Sequence, residues 1–239
     1  MANSLTTPKR GFGALFNTAA IVAALCAPAF AQAAILDFEA PLDVPILFSG
    51  QRTAIGQFWI ETYGGTRAGD MAGLIAENDS CFGVSCPVNN STHYYAGLDD
   101  GYLYFGMNDN ATFKVQSLLA SFIGNGQTSF PAVAGVLVLQ GYNANDTLAA
   151  PSLQLALNGP TAGAFNFANY NLGAFGNTAY SYVRVLGFAC DAGGSCNRNT
   201  NLANFALDDI VTVPEPTSWA LMGLGLLGLG AFSRRRAAR

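Results

Sequence analysis

The charged side chains of this 239-residue chain are unevenly distributed. The whole chain has 11 Lys and Arg and 15 Asp and Glu, whereas residues 34–213 hold five basic and 14 acidic residues, a net charge of −9. An acidic surface of this kind repels nucleic-acid phosphates and anionic lipids, which argues strongly against DNA and RNA as partners. The same segment is long enough for one domain with a substantial core.

The N-terminal residues have the order of features found in a secretory signal peptide. Two basic residues, at positions 9 and 10, precede the apolar run 11–30, which ends in a small-x-small cleavage site at 31–33. We therefore predict that residues 1–33 are a signal helix. Signal peptidase is expected to cleave between Ala33 and Ala34.

Residues 34–213 have the pattern of β-strands. Short β-branched and aromatic runs alternate with clusters of Gly, Asn, Asp, Ser and Pro, and no amphipathic helix is evident. The predicted strands are 34–39, 55–63, 71–76, 102–105, 112–117 with its continuation 118–123, 136–142, 152–157, 164–167, 180–188 and 204–213. An Asn- and Asp-rich turn at 143–146 predicts a hairpin. The pattern predicts an all-β, antiparallel, jelly-roll-like sandwich.

Four cysteines of this segment form two local pairs, Cys81 with Cys86 and Cys190 with Cys196. An even number of cysteines in an exported chain favours disulfides. Zinc is the alternative, but the spacings exceed the usual two residues and no His flanks either pair. Three pairings are open to four cysteines, and we expect the two local ones.

The C-terminal residues combine three features in a fixed order. These are Pro214, Glu215 and Pro216, then the uncharged apolar run 219–232, then Arg234, Arg235 and Arg236. Arginines after an apolar run stay on the cytoplasmic side of a membrane, which places the preceding chain outside. The run spans roughly 21 Å as a helix, against a hydrocarbon core of about 30 Å, so it suits a temporary transmembrane anchor.

This tail resembles the PEP-CTERM sorting signal, which would occupy residues 214–239. The resemblance implies a protein that is exported, held briefly in the inner membrane, and cut near Pro-Glu-Pro by exosortase. It also implies a final place at the cell surface or outside the cell, in a bacterium that makes extracellular polysaccharide. An ordinary C-terminal membrane anchor is the alternative.

The strand layout of 34–213 also resembles the mature domains of PEP-CTERM proteins and the jelly rolls of carbohydrate-binding modules. The residues concerned are Asp-Phe-Glu at 37–39, Phe-x-Val-x-Ser-Leu at 113–118, the Gly-Tyr at 141–142 and Phe-Ala-Leu-Asp-Asp-Ile at 205–210. The second resemblance implies a structural Ca²⁺ shared by the first and last strands. Its expected ligands are Glu39 and Asp209, because the adjacent acids Asp208 and Asp209 point to opposite faces of a strand. The alternative is that these acids are simply solvated.

Aromatic side chains are the other candidates for a binding site. Six of them are considered as a platform on which sugar rings stack: Trp59, Tyr63, Tyr94, Tyr95, Tyr102 and Tyr104. Most aromatic residues of a sandwich lie in its core, and of this set Trp59 and Tyr102 are the proposed ligand contacts. The Asp and Asn residues that flank 102–105 (Asp99, Asp100, Asp109 and Asn110) are expected to be turn residues.

The chain lacks the common catalytic motifs. It has no Gly-x-Ser-x-Gly, no His-Glu-x-x-His and no phosphate-binding loop, and the single histidine, His93, is expected at the surface. We therefore expect an exported, non-enzymatic module that binds carbohydrate or matrix. One alternative is a structural or adhesive protein of the biofilm matrix with no ligand pocket. The other is a polysaccharide hydrolase, which needs only two suitably spaced carboxylates.

Overall fold

Fourteen β-strands form nearly all the regular structure of the residues that the computed structural model describes, 33–39, 45–64, 69–77, 84–124, 126–198 and 202–215. They are β1 (Ala34–Leu36), β2 (Ile46–Phe48), β3 (Arg52–Ile55), β4 (Phe58–Tyr63), β5 (Met71–Ala76), β6 (Tyr94–Gly97), β7 (Tyr102–Met107), β8 (Phe113–Phe122), β9 (Val133–Tyr142), β10 (Leu153–Asn158), β11 (Ala168–Asn171), β12 (Tyr182–Cys190), β13 (Cys196–Asn197) and β14 (Phe205–Pro214). A 3-10 helix, Phe175–Asn177, precedes β12.

The predicted signal and transmembrane helices lie outside these residues. Within the described ranges, no helix is long and apolar enough to cross a membrane.

The strands form two antiparallel sheets that pack as a sandwich. Sheet A has the order β11-β8-β14-β6-β5-β2, with β1 also paired to β14. Sheet B has the order β10-β9-β12-β7-β4-β3, with β13 also paired to β12. The chain crosses between the sheets after β2, β4, β6, β7, β8, β10, β11 and β13, so many paired strands are distant in sequence. The predicted all-β, antiparallel, jelly-roll-like sandwich is confirmed.

The first and last strands lie side by side, as the resemblance to carbohydrate-binding modules implied. β1 pairs with the C-terminal half of β14, where Leu36 is opposite Ile210. The buried hydroxyl of Thr212 donates to the carbonyl oxygen of Ala34 at 3.0 Å, which ties the two strands together beyond their ladder.

The two sheets differ in how their outer faces are covered. In sheet B the strands alternate, and on β4 Phe58, Ile60 and Thr62 are buried while the residues between them are partly exposed. In sheet A all four residues of β6 are buried. Residues 84–90 lie over sheet A, where isolated bridges join Ser85 to Gly124 and Pro87 to Phe165, just outside β8 and β11. A second apolar cluster forms beneath them, whereas the main core lies between the sheets.

Several predicted strands have different boundaries in the structure. The predicted strand 55–63 is a hairpin of β3 and β4, in which Gly56 has a φ of 56° that favours glycine at the turn. The segments 112–117 and 118–123 are a single strand, β8. The prediction of a strand at 164–167 is wrong, because the chain pairs with β8 at Ala168–Asn171 instead. The β9–β10 hairpin is confirmed.

Two cysteines join neighbouring strands through a disulfide. The predicted bond between Cys190 and Cys196 is confirmed, and these residues are paired in the ladder of β12 and β13. Cys86 is also disulfide-bonded. Its predicted partner, Cys81, lies outside the described residues, so that pairing stays a prediction.

Candidate functional site

The outward face of sheet B carries aromatic side chains at positions that face solvent. Strand pairing arranges its residues in three rows: Tyr142, Tyr182, Gly106 and Trp59; then Gln140, Arg184, Tyr104, Glu61 and Arg52; then Leu186, Tyr102 and Tyr63. The middle row crosses five strands, roughly 19 Å at about 4.8 Å per strand. We call the six partly exposed rings of this surface (Trp59, Tyr63, Tyr102, Tyr104, Tyr142 and Tyr182) the aromatic face.

Tyr104 lies at the centre of the aromatic face. Its ring meets those of Tyr63, Tyr102 and Tyr182 edge to face, with centroids 5.7, 5.7 and 5.8 Å away. Tyr63 stacks on Tyr102 at 5.4 Å, and Tyr142 stacks on Tyr182 at 4.9 Å. These distances are typical of favourable aromatic pairs, so the rings hold one another in place.

Trp59 lies flat across a glycine of the neighbouring strand. A Cβ on Gly106 would come within 2.6 Å of the indole, so only glycine leaves room for the ring. The guanidinium of Arg52 lies 3.9 Å from the ring centroid and is also paired with Glu61 at 2.7 Å. Trp59 is therefore partly covered by a cation, and a ligand stacking on it must displace the Arg52 side chain.

All rings of the aromatic face except that of Tyr142 line a depression of about 690 Å³. The loops after β7 and β9 contribute Asn110, Ala144 and Asp146 to its wall. Two acids at the wall are occupied by tyrosine hydroxyls: Tyr63 donates to Glu61, and Tyr182 donates to Asp146 at 2.9 Å. The bond to Glu61 is the main cause that raises the pKa of Tyr63 to about 12.

Two central tyrosines keep their hydroxyls free of such bonds. Neither Tyr102 nor Tyr104 donates a hydrogen bond to a residue in the described part of the chain, although both line the depression. Burial raises the pKa of Tyr102. Each hydroxyl can donate to or accept from a polar ligand.

Two arginines flank the ring of Tyr102. The guanidinium carbon of Arg184 is 5.9 Å from its centroid and that of Arg198 is 5.3 Å away. Nε of Arg184 donates to Oε1 of Gln140 at 2.9 Å, and Nη2 donates to the same oxygen. Arg198 donates from Nη2 to the carbonyl oxygen of Asp100. The third row of the face thus lies beside two cations.

A second polar cluster lies where β1 and β14 meet β6. Glu39 accepts from the backbone N–H of His93 at 2.8 Å, and its other oxygen lies 3.1 Å from His93 Nδ1. The opposite ring nitrogen lies 2.9 Å from Glu77. The bond to Glu39 is the main cause that raises the pKa of His93. Burial by itself would raise the pKa of Glu39, but the bonds from His93 outweigh it and the pKa is lowered.

Asp208 and Asp209 occupy the same cluster, where the register of β14 shifts and Asp209 has a φ of 44°, so the alternation expected of a regular strand is interrupted. Asp208 is buried, and its pKa is raised to about 6 by burial, against bonds from Asn90 and the Asp209 backbone. Asp209 is exposed as a whole residue, but its carboxyl group is partly buried. This partial burial raises the pKa of Asp209, and the charges of Asp37 and Glu39 act in the same direction. Glu39 and Asp209 therefore come within electrostatic range of each other.

The predicted calcium ligands do not form a complete site in this arrangement. Within the described ranges, no group of three or more His, Cys, Asp or Glu side chains is arranged to hold a metal ion. Both carboxylate oxygens of Glu39 are occupied by His93. Ca²⁺ takes six to eight oxygen ligands, so binding here would require His93 to move and backbone carbonyls or water to contribute.

The structure separates the six predicted platform residues into two groups. Trp59, Tyr63, Tyr102 and Tyr104 are together on the aromatic face, as predicted. The prediction is wrong for Tyr94 and Tyr95, which are fully buried on β6 in sheet A. Tyr94 packs against Phe167 under the covering loop, and Tyr95 packs against Phe38 and Phe205.

Two rings of the face, those of Tyr182 and Tyr142, were not predicted. Tyr182 and its neighbour Arg184 alternate with buried Val183 and Val185 on β12, and this alternation was a usable signal for outward side chains. Tyr142 could not be assigned to the face from sequence, because its place depends on pairing with Tyr182. The turn prediction for Asp99, Asp100 and Asn110 agrees with their positive φ values of 51°, 61° and 59°.

The start of the tail motif belongs to the sandwich. Pro214 is the last residue of β14 and pairs with Phe113. Glu215 donates its backbone N–H to the carbonyl oxygen of Thr112 at 2.9 Å and pairs with Lys114 at 3.3 Å. Pro216, Arg234, Arg235 and Arg236 lie outside the described residues.

Residues 212–236 match the PEP-CTERM protein-sorting motif. This motif indicates an exported protein that is processed by exosortase and anchored transiently in the membrane before release at the cell surface. No curated protein matches the chain.

Solved structures are similar to the sandwich. A DUF4465 family protein from Bacteroides caccae ATCC 43185 aligns with 77% of this chain and 100% of its own, at 13% identity and a TM-score of 0.52, which indicates a shared fold. TmCBM61, solved with β-1,4-galactotriose, aligns with 65% of this chain and 88% of its own, at 10% identity and a TM-score of 0.32. The CBM22 tandem domain of Xyn10C from Paenibacillus barcinonensis aligns with 78% and 50%, at 15% identity and a TM-score of 0.33. Scores of 0.32 and 0.33 do not establish a shared fold.

Proposed function

We propose that this exported protein binds extracellular polysaccharide on the aromatic face without cleaving it. One observation carries the proposal: six aromatic rings converge on a solvent-facing surface of sheet B, and five of them line a broad depression. The main core is complete without them, since the inward residues of the same strands fill it. A ring that stays exposed gives up the favourable free energy of burial. A group of exposed rings therefore indicates a binding surface.

The shape and chemistry of the face suit a sugar chain. The apolar side of a pyranose ring and the side of an aromatic ring exclude water together, and neighbouring hydroxyls find partners at the rim. Tyr104 offers a ring braced by three others and a hydroxyl with no partner among the described residues. The middle row extends over several strands, which fits a polymer better than a small metabolite.

The test is affinity electrophoresis of the full chain, in mild detergent, through gels that contain the producing bacterium's own extracellular polysaccharide. Wild-type protein is expected to be retarded. Tyr104→Ala and Tyr102→Ala are each expected to weaken binding by about tenfold, from an aromatic contact worth about 1–2 kcal/mol. Phe48→Ala is the matched control, because Phe48 is an exposed aromatic residue on sheet A.

The other functions give different results in the same experiment. Equal migration of wild type and both tyrosine variants, with and without polysaccharide, would leave a structural or adhesive matrix protein as the better account. A hydrolase is favoured by one observation, namely that Glu61 and Asp146 both line the depression. Shortening of the polysaccharide during incubation, abolished by Glu61→Gln, would establish that activity.

Calcium remains a separate proposal for the cluster around Glu39 and Asp209. Carboxylates in a domain of this charge repel one another, and a bound cation would relieve that repulsion. If Ca²⁺ binds there, it raises the melting temperature of the full chain, and Asp209→Asn removes the increase. An unchanged melting temperature with calcium and with chelator would refute the proposal.

A further inference from the structure

The basic residues of the sandwich are concentrated on one side. Of the five in residues 34–213, Arg52, Arg184 and Arg198 lie at the aromatic face. Lys114 is on sheet A and is paired with Glu215, and Arg67 lies outside the described residues. A domain with a net charge of −9 therefore places most of its cations around one cluster of rings.

Arg184 has no anionic partner among the described residues. It is half-buried and forms no ion pair with the described residues, while Arg52 is neutralised by Glu61. Two of its N–H groups share one neutral amide oxygen of Gln140. A guanidinium has five N–H donors and a planar fork that matches a carboxylate. Partial burial without an anion is costly, so this site is complementary to a negatively charged group.

Arg198 adds a second positive charge near Tyr102, with its guanidinium carbon 5.3 Å from the ring centroid. Its Nε is buried with no hydrogen-bond partner among the described residues. Burial lowers the pKa of Arg198; the carboxylate of Asp100 acts against this, while the charge of Arg184 adds to it. The two guanidinium groups therefore repel each other, and an anion near both relieves that repulsion.

We propose that the polysaccharide bound on the aromatic face is acidic, with hexuronic acid residues whose carboxylates pair with Arg184. The pyranose ring stacks on Tyr102 or Tyr104, and the carboxylate at its C5 reaches the guanidinium. Tyr102 lies 5.9 Å and Tyr104 6.0 Å from the guanidinium carbon, a separation that suits a ring and its substituent. This inference rests on the proposed binding function and specifies its ligand class.

The test compares two polymers that differ only in charge. The full chain is run by affinity electrophoresis through polygalacturonate and through its methyl ester, at low and at moderate salt. Wild-type protein is expected to bind polygalacturonate at least about tenfold more tightly, since a charge-assisted pair is worth about that factor. The preference should fall as salt rises.

Variants separate this inference from the proposed function on which it rests. Arg184→Gln should bind both polymers alike, and Arg184→Lys should keep part of the preference, because it retains the charge without the planar fork. Lys114→Gln removes a charge from sheet A and should keep the full preference. Near-UV circular dichroism checks that each variant is folded.

Each outcome bears on one of the two claims. Equal binding of both polymers by wild type, lost in Tyr104→Ala, would overturn the acidic-ligand inference and leave the polysaccharide-binding proposal standing. A preference that survives in Arg184→Gln would also overturn the inference. Failure of wild type to bind these polymers or the bacterium's own polysaccharide would overturn both.

Discussion

Replacing Asp208 by Asn should change how the stability of the sandwich depends on pH. Asp208 is 1% exposed on β14. Its Oδ2 accepts from Asn90 Nδ2 at 2.6 Å, and its Oδ1 accepts from the backbone N–H of Asp209 at 2.8 Å. Burial raises the pKa of this carboxyl to about 6, and the charges of Asp209 and Glu39 act in the same direction.

The sign follows from proton linkage. Because the folded pKa of Asp208 is above its unfolded value of about 3.9, the folded state holds the proton more tightly, and stability falls as pH rises from about 4 through about 6. The difference of about two pKa units corresponds to at most about 3 kcal/mol, at 1.36 kcal/mol per unit. The Asn variant lacks this loss, so its stability relative to wild type should rise by about 2–3 kcal/mol over that pH range.

The assay is urea unfolding of the full chain at about pH 4 and about pH 7, followed by fluorescence. Asp208→Asn also disturbs the bond to Asn90, but that cost is nearly independent of pH and cancels when the two pH values are compared. Asp109→Asn is the control, since Asp109 is an exposed turn residue. A stability difference between Asp208→Asn and wild type that is the same at both pH values would refute the reasoning.

Three further predictions concern other parts of the molecule. Gly106→Ala should displace the Trp59 indole by about 1 Å and shift its fluorescence to longer wavelength. Overpacking should lower the free energy of unfolding by about 1–3 kcal/mol, and an unchanged spectrum would contradict the packing described. Because Glu39 raises the pKa of His93, wild type should be more stable than His93→Gln below about pH 6.5. It should lose this advantage as pH rises through the folded pKa of His93, which urea titrations at several pH values would measure. Mass spectrometry of the protein released by the bacterium should place its C-terminus at or beyond Glu215, because the preceding residues pair within the sheet; a shorter species would show that processing opens β14.

The outward face of sheet B could be predicted in part from sequence, because its strands alternate. On β4, buried Phe58 and Ile60 alternate with Trp59 and Glu61, and this period of two marks which side chains face solvent. Tyr102 and Tyr104 follow the same rule on β7. Which strands are neighbours is not encoded by such local periodicity. The convergence of the rings from β4, β7, β9 and β12 therefore needed the structure.

The part of sheet A at β6 could not be read in this way, because both of its faces are covered there. β6 has no alternation: Tyr94 packs outward under residues 84–90, while Tyr95 packs inward against Phe38 and Phe205. A tyrosine on an open face and a tyrosine beneath a loop have the same local sequence signal. The difference arises from contacts between residues far apart in the chain, such as the two hydrogen bonds that link Asn89 to Phe167.

The two sheets therefore have different roles in the exported protein. Sheet A holds β14, whose end carries the first residues of the sorting motif, and Lys114 and Thr112 of β8 and its preceding turn hold Glu215. Sheet B holds the aromatic face and has no pairing with β14. Cleavage after Glu215 would remove none of the residues that form the ladder or the aromatic face. Processing and the proposed polysaccharide binding thus involve separate parts of the chain, so release from the membrane leaves the proposed binding face intact.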